Sequence, residues 1–382
     1  MQQTKEQVPA ATSAAGKHGT EKQRLSLRDA KVKDLTGDKR RLVEVPYTAS
    51  LAQTMNALVA NKVVALPVAA PPGQWIGAGG SMILESDKQT GAVRKHYIGM
   101  LTMLDILAHI AGDDQINGGD GVSDLDQKMS VPVSSIIGHC LEGLSLWTLN
   151  PHTSIVDCME VFGKGVHRTL VPTDSHMENV SGVELVESAT SYQMLTQMDL
   201  LRFLMSHASE LEGIISHSVG ELGAANENVF AITERTKVID AIKCMKAALL
   251  QAVPIVKSSV THEEDPKQLI NGKGRQLIGT FSATDLRGCH LAALQTWLPL
   301  PAQEFTEKIS TSSLLSPSGT PTPQRELVTC QVDSPLYEVM NKALTKHVHR
   351  VWVVDRQGYL VGLVSLTDII RVLRASLLGY SQ

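Results

Sequence analysis

Apolar residues recur with helical spacing at four places along this chain, and after each the pattern shifts to short apolar runs suited to buried strands. The last instance is the clearest. Leu336, Val339, Met340, Ala343 and Leu344 fall at i, i+3, i+4, i+7 and i+8, on one helical face. Ser334-Pro335 precedes them, with Ser the expected N-cap and Pro the expected first helical residue. Thr236 precedes a second such face at Val238, Ala241, Ile242, Met245, Ala248 and Leu249. Ser50 precedes Leu51, Met55, Leu58 and Val59, and Thr153 or Ser154 precedes Ile155, Cys158, Met159 and Phe162. The strand-like runs that follow are Val64-Ala65-Leu66-Pro67-Val68, Leu170-Val171-Pro172, Ala252-Val253-Pro254-Ile255-Val256 and Val351-Trp352-Val353-Val354.

A second strand then ends, each time, in one polar motif followed by another apolar helix. The motifs are Thr102-Met103-Leu104-Asp105, Thr196-Gln197-Met198-Asp199, Ser282-Ala283-Thr284-Asp285 and Ser365-Leu366-Thr367-Asp368. Gly99, Gly279 and Gly362 lie three residues upstream, with Gln193 in the second unit. The loops between paired strands differ. The fourth is a tight turn at Asp355-Arg356-Gln357-Gly358, the first runs through Pro71-Pro72-Gly73 and Gly77-Ala78-Gly79-Gly80, and the third carries Thr261-His262-Glu263-Glu264-Asp265. Linkers are expected near 112–128 and 310–326, both rich in Gly, Ser, Pro, Asp or Thr.

Ser/Thr-x-x-Asp is close to a capping box, in which the hydroxyl accepts from a helix N–H and the acid favours the helix N-terminus. Capping alone does not require the same acid in the same turn four times. The same geometry serves a nucleotide. Helix N-termini attract phosphate, and an Asp beside one can accept from ribose hydroxyls through charge-assisted bonds of about 1.5–3 kcal/mol each.

The four units resemble cystathionine-β-synthase (CBS) motifs, whose pattern is β-α-β-β-α and whose nucleotide signature is Ser/Thr-x-x-Asp/Asn at the end of the last strand. The resemblance covers about residues 30–380. Four such repeats with nothing else attached resemble the gamma subunit of the AMP-activated and sucrose-non-fermenting-related protein kinase family, most like its plant gamma-like members. The resemblance implies an α/β fold of four CBS repeats paired into two Bateman modules, units one with two and three with four, forming a pseudo-symmetric disc. The expected spans are 1–27 for a disordered tail, then 28–112, 129–212, 213–296 and 305–380 for the repeats.

A second motif carries the likeness further. His167-Arg168 and His349-Arg350 open the first apolar strands of units two and four. In gamma subunits, basic residues here face a central cavity and hold nucleotide phosphates. Arg offers a fixed donor fork and His a tunable donor. The other reading is of polar residues at a helix–strand junction. Units one and three depart from the pattern: Val63-Val64 stands where gamma subunits carry an Arg, and Leu250-Gln251-Ala252 has no basic residue. His347 reads as a solvated helix-end residue.

Composition narrows the function. Of 382 residues, 43% are hydrophobic, enough for real cores. Lys+Arg total 35 against Asp+Glu 39, a net charge of −4, which argues against a nucleic-acid partner, and aromatics at 4% argue against a stacking platform for single strands. No apolar run is long enough to predict a membrane span, and the N-terminus does not read as a secretory signal. Five unpaired cysteines fit a reduced compartment, so the cytoplasm or nucleus is expected. No P-loop, H-E-x-x-H or kinase H-R-D motif is present, so no enzyme activity, metal or obligatory cofactor is expected.

The implied function is regulation of a Ser/Thr kinase, with a catalytic and a beta-type subunit as partners and AMP, ADP or ATP as ligands in clefts between repeats. Asp105, Asp199, Asp285 and Asp368, with Thr102, Thr196, Ser282 and Ser365, would hold ribose. His167, Arg168, His349 and Arg350 would hold phosphates. An adapter without nucleotide sensing, or a regulator of a non-kinase enzyme or transporter, is the alternative.

Overall fold

The structure, a computed structural model, describes residues 26–37, 39–70, 95–112, 121–137, 146–173, 189–259, 263–288, 291–311 and 326–379. Residues 1–25 of the expected tail, the first unit's loop at 71–94, Thr261-His262 and the linker over 312–325 lie outside the described residues.

Each unit begins with a short strand parallel to the next, then a helix, then an antiparallel strand pair. Unit one is β1 (Val45–Pro46), α1 (Leu51–Ala60), β2 (Ala65–Ala69), β3 (Tyr97–Thr102) and α2 (Met103–Ala111). Helix α3 (Gly121–Ser130) follows, overlapping the end of the stretch near 112–128 expected to be a linker. Unit two is β4 (Trp147–Thr148), α4 (Ile155–Gly163), β5 (Arg168–Pro172), β6 (Tyr192–Thr196) and α5 (Gln197–Ser206), with α6 (Ala208–Ile215) after it.

Unit three is β7 (Phe230–Thr233), α7 (Val238–Ala247), β8 (Ala252–Val256) and β10 (Leu277–Ser282). Its polar loop contributes a fourth strand, β9 (Ile270–Asn271), against β7. Its second helix departs from expectation. Asp285–Gly288 is a single 3-10 turn, and α8 (Leu291–Trp297) starts only after it. Gly288, at the end of that turn, is a poor helix former at the point where units one, two and four run on as α-helix. Helix α9 (Ala302–Thr311) leads to unit four: β11 (Thr329–Cys330), α10 (Leu336–Thr345), β12 (Arg350–Val354), β13 (Leu360–Ser365) and α11 (Leu366–Leu377).

Two of the four expected N-caps form. The Ser50 and Ser154 hydroxyls accept from Gln53 and Asp157 backbone N–H. In unit four the cap is Pro335, and the Ser334 hydroxyl instead accepts from the Gln331 N–H. In unit three the cap is Lys237, and the Thr236 hydroxyl turns back to the Thr233 N–H. All four first helices end on a residue with positive φ: Lys62 (53°), Gly165 (95°), Leu249 (55°) and His347 (51°). This left-handed stop turns the chain out of the helix and into the next strand.

The units close on one another in a ring. Sheets join one to two: Lys95 donates its N–H to the Ala189 carbonyl at 2.7 Å, and the Tyr97 and Tyr192 rings meet edge-on at 5.5 Å. Sheets likewise join three to four, where the Trp352 indole donates to Thr280 Oγ1 at 2.7 Å and Leu360 N–H to the Arg275 carbonyl at 2.8 Å. The close approach also fixes Gly362, where a Cβ would lie 2.7 Å from the Asn226 carbonyl. Helices make the other two sides. Units two and four share one core, with Phe162, Leu200, Ile369 and Leu373 buried in it, and units one and three share another around Met55, Ile106, Ile242 and Phe281. The pairing of one with two and three with four is therefore as the resemblance implies.

The segments leading into each unit cross over. Lys31 bridges to Ser154, Pro132 to Ser50, Ser218 to Pro335 and Pro301 to Lys237. Each bridge lies at the N-cap of a partner unit's first helix. The cap residue's neighbours exchange backbone bonds with the visiting segment, for example Val133 N–H to the Ala49 carbonyl and Leu51 N–H to the Val131 carbonyl. The visiting segments satisfy helix-end backbone groups that would otherwise lack partners. Leu27, Ala30 and Val32 accordingly pack into the core of units two and four, and Phe305 into that of one and three.

Candidate functional site

All four Ser/Thr-x-x-Asp motifs close as capping boxes or their 3-10 equivalent. Oδ2 of Asp105 accepts from Thr102 N–H (2.8 Å) and hydroxyl (2.6 Å). Asp199 does the same for Thr196 (2.9 and 2.6 Å), Asp285 for Ser282 (2.7 and 3.0 Å) and Asp368 for Ser365 (N–H at 3.0 Å, hydroxyl shorter still). One carboxylate oxygen of each Asp is thus committed to its own turn.

The four turns surround one cavity of about 450 Å3 at the centre of the ring. Thr102, Thr196, Ser282 and Ser365 line it; the four aspartates do not, standing one turn behind the hydroxyls. His167, Arg168, His349 and Arg350 line it as well. The strand register explains this. Arg168 pairs with Thr196 and Arg350 with Ser365, so each Arg stands beside its unit's cap residue. The residues in equivalent register in units one and three are Ala65, opposite Thr102, and Ala252, opposite Ser282. Their preceding residues are Val64 and Gln251, so the adjacent units two and four form a basic half of the wall and units one and three a neutral half.

Residues 322–375 match the CBS domain family. Over 349 residues the chain is 63% identical to the SNF1-related protein kinase regulatory subunit gamma-like PV42a of Arabidopsis thaliana, covering 90% of this chain and 95% of that one. It is 61% identical over 353 residues to the gamma-like PV42b of the same plant, covering 92% and 97%. This chain belongs to the SNF1-related kinase gamma-like family. The fold is shared with protein MJ1225 of Methanocaldococcus jannaschii, at a TM-score of 0.56 and 16% identity, covering 90% of this chain and 99% of that one.

The gamma-like cavity holds four basic residues that motif reading did not identify: Arg40, Lys62, Arg287 and His347. Lys62 and His347 had a signal. Each is the left-handed residue two positions before the wall pairs Val64-Ala65 and His349-Arg350, an offset constant in all four units. His347 is exposed, as a solvated helix end should be, yet it borders the cavity mouth. Arg40 arrives on the crossing N-terminal segment, and Arg287 on the 3-10 turn peculiar to unit three. Neither position is marked by the repeat.

Two carboxylates carry further partners. Asp199 is ion-paired with Lys39 and lies 3.2 Å from Arg202 Nη1. Burial pushes its carboxyl up, but hydrogen bonds from Lys39 and Thr196 and the Lys39 charge outweigh it and hold the acid below its usual range. Asp368 Oδ1 lies 3.4 Å from Arg371 Nη2. Asp105 and Asp285 are buried, at 8% and 3% exposure. Among the described residues no group of His, Cys, Asp and Glu could hold a metal ion, and no helix is long and apolar enough to cross a membrane.

Proposed function

We propose that this gamma-like chain is a non-catalytic regulatory subunit of a SNF1-related Ser/Thr kinase complex that takes adenine nucleotides into its central cavity. The observation behind this reading is convergence: four hydroxyl-bearing helix N-termini and the His-Arg pairs of units two and four face one space. At about 450 Å3 that space is of small-ligand size, within the usual range of about 300–1,000 Å3.

The roles follow from chemistry. His167, Arg168, His349 and Arg350 receive phosphate. Ribose hydroxyls meet the cap hydroxyls Thr102, Ser282 and Ser365 on the cavity wall, which Asp105, Asp285 and Asp368 hold in place from behind. Asp199 is held by Lys39, so Thr196 and Asp199 serve as a structural cap and nucleoside occupies other clefts. A ligand in this cavity touches elements of all four units, and so favours one arrangement of the ring over another. A kinase catalytic subunit and a beta-type subunit bound to the rim would feel that difference as a shift in their own equilibrium.

The competing reading, an adapter without sensing, draws support from the aspartates' absence from the cavity wall. Co-expression with a SNF1-related catalytic and beta-type subunit tests both. Co-purification with peptide-phosphorylation activity that responds to AMP, ADP or ATP, and loses the response in Arg350→Ala, supports the sensor. A complex whose activity ignores all three nucleotides supports the adapter, and no complex at all contradicts both.

A further inference from the structure

The neutral half of the cavity wall raises a question of charge. Units one and three present Val64-Ala65 and Gln251-Ala252 where units two and four present His-Arg. Cations reach that side from elsewhere. Arg287 enters from the 3-10 turn of unit three, and Arg40 from the N-terminal segment that crosses between units. Arg40 Nη1 donates to the Asn61 carbonyl at 3.1 Å, which anchors one end of its guanidinium at the end of α1.

Arg287 is the unusual member. Its Nε is buried and has no hydrogen-bond partner. Burial is the largest influence on it, followed by the charges of Arg168 and Arg40, and all three hold its proton affinity below the ordinary value. Like charges thus converge on a partly desolvated donor. Both effects are unfavourable. A buried unpaired donor amid like charges is a recognised destabilising arrangement, and a bound anion removes both penalties.

We propose that Arg40, Arg168 and Arg287 form one anion-binding cluster that holds the phosphate chain of a polyphosphate ligand in preference to a single phosphate. This rests on the reading of the cavity as a nucleotide site and specifies which end of the nucleotide the cluster selects. The three guanidiniums come from three different elements and line one cavity. A monophosphate carries about −1.5 to −2 charge and three terminal oxygens, too few to engage three guanidiniums at once. A chain of two or three phosphates carries enough oxygens to reach all three. The cluster therefore takes over, for a di- or triphosphate, the role that Val64 and Gln251 do not perform.

The test uses the full chain and inorganic probes, which separates phosphate recognition from adenine recognition. Orthophosphate, pyrophosphate and tripolyphosphate are titrated calorimetrically against the wild type and against Arg287→Met and Arg40→Gln. Tripolyphosphate is expected to bind at least tenfold more tightly than orthophosphate. Arg287→Met is expected to abolish that preference while the ligand-free protein melts no lower than the wild type, because the substitution removes a half-buried charge whose Nε has no hydrogen-bond partner. Equal binding of the three anions, or a preference unchanged in Arg287→Met, overturns the cluster. A melting point that falls in ligand-free Arg287→Met also counts against it, since Arg287 would then be a structural support. If AMP, ADP and ATP bind while the inorganic anions show no preference, the nucleotide reading stands and the cluster fails. If polyphosphate binds selectively while no nucleotide does, the cluster stands and the nucleotide reading fails.

Discussion

Replacing Lys39 with Met isolates the contact that ties the N-terminal segment to unit two. Lys39 and Asp199 are ion-paired with side-chain exposures of 21% and 18%, intermediate between a surface pair and a buried one. At about 4 Å and an effective dielectric near 20, the attraction is about 4 kcal/mol. Desolvation of two partly buried ions and the lost freedom of the Lys chain oppose it. A net coupling of about 1–2 kcal/mol remains. Arg202 keeps its own contact with Asp199 and the Thr196 cap is untouched, so the acid stays hydrogen-bonded and the fold survives. Urea denaturation of the wild type, Lys39→Met, Asp199→Asn and the double variant closes a double-mutant cycle. The pH dependence has a defined sign. The carboxyl of Asp199 is held below its usual range in the fold, so its contribution is complete above the unfolded value near about 3.9 and fades as pH falls through the lower folded value. The Lys39→Met deficit should shrink over the same acid range. A coupling under about 0.5 kcal/mol at pH 7, or a deficit that grows on acidification, refutes the reasoning.

Three further outcomes are expected. Phe162→Ala removes a fully buried ring from the core shared by units two and four and should cost about 3–5 kcal/mol in denaturant unfolding. Leu249, 53% exposed and at φ 55°, should welcome glycine, so Leu249→Gly is expected to stabilise by about 0.5–1 kcal/mol in the same assay. Trp352 both lines the cavity and bonds Thr280 across the sheet interface. Trp352→Phe should cost about 1 kcal/mol, and nucleotide addition should shift wild-type indole emission but not that of the variant.

The repeat itself was legible because its grammar is local. Apolar spacing located α1, α4, α7 and α10 to within a residue or two, and the Ser/Thr-x-x-Asp motif marked where each second strand ends. The His-Arg pairs were expected at a cavity only from the resemblance to gamma subunits; in the structure, strand register carries them there along with the cap hydroxyls. What stayed hidden is non-local. Nothing in Lys31, Pro132, Ser218 or Pro301 says that each leading segment will cross to a partner unit. Helix α3 overlaps a stretch whose Gly and Asp content read as linker. An apolar helix was expected directly after Ser282-Ala283-Thr284-Asp285, but Asp285–Gly288 is a 3-10 turn, and Arg287 on that turn lines the cavity. Lys39 could not be matched with Asp199 from sequence, because only the closed ring brings residues so distant in the chain together. Four aspartates in equivalent positions were all expected to hold ribose. The structure gives them unequal surroundings: two buried, one beside Arg371, and one claimed by Lys39.

Direct titration of the purified full chain with AMP, ADP and ATP, each alone, tests the central claim most directly. A micromolar site is worth about −8 kcal/mol and gives readily measurable heat. Saturable binding of an adenine nucleotide that is lost in both Arg350→Ala and Asp368→Ala is the predicted result. Absence of heat and of any thermal shift with all three nucleotides, from a protein that is folded by circular dichroism, would contradict it.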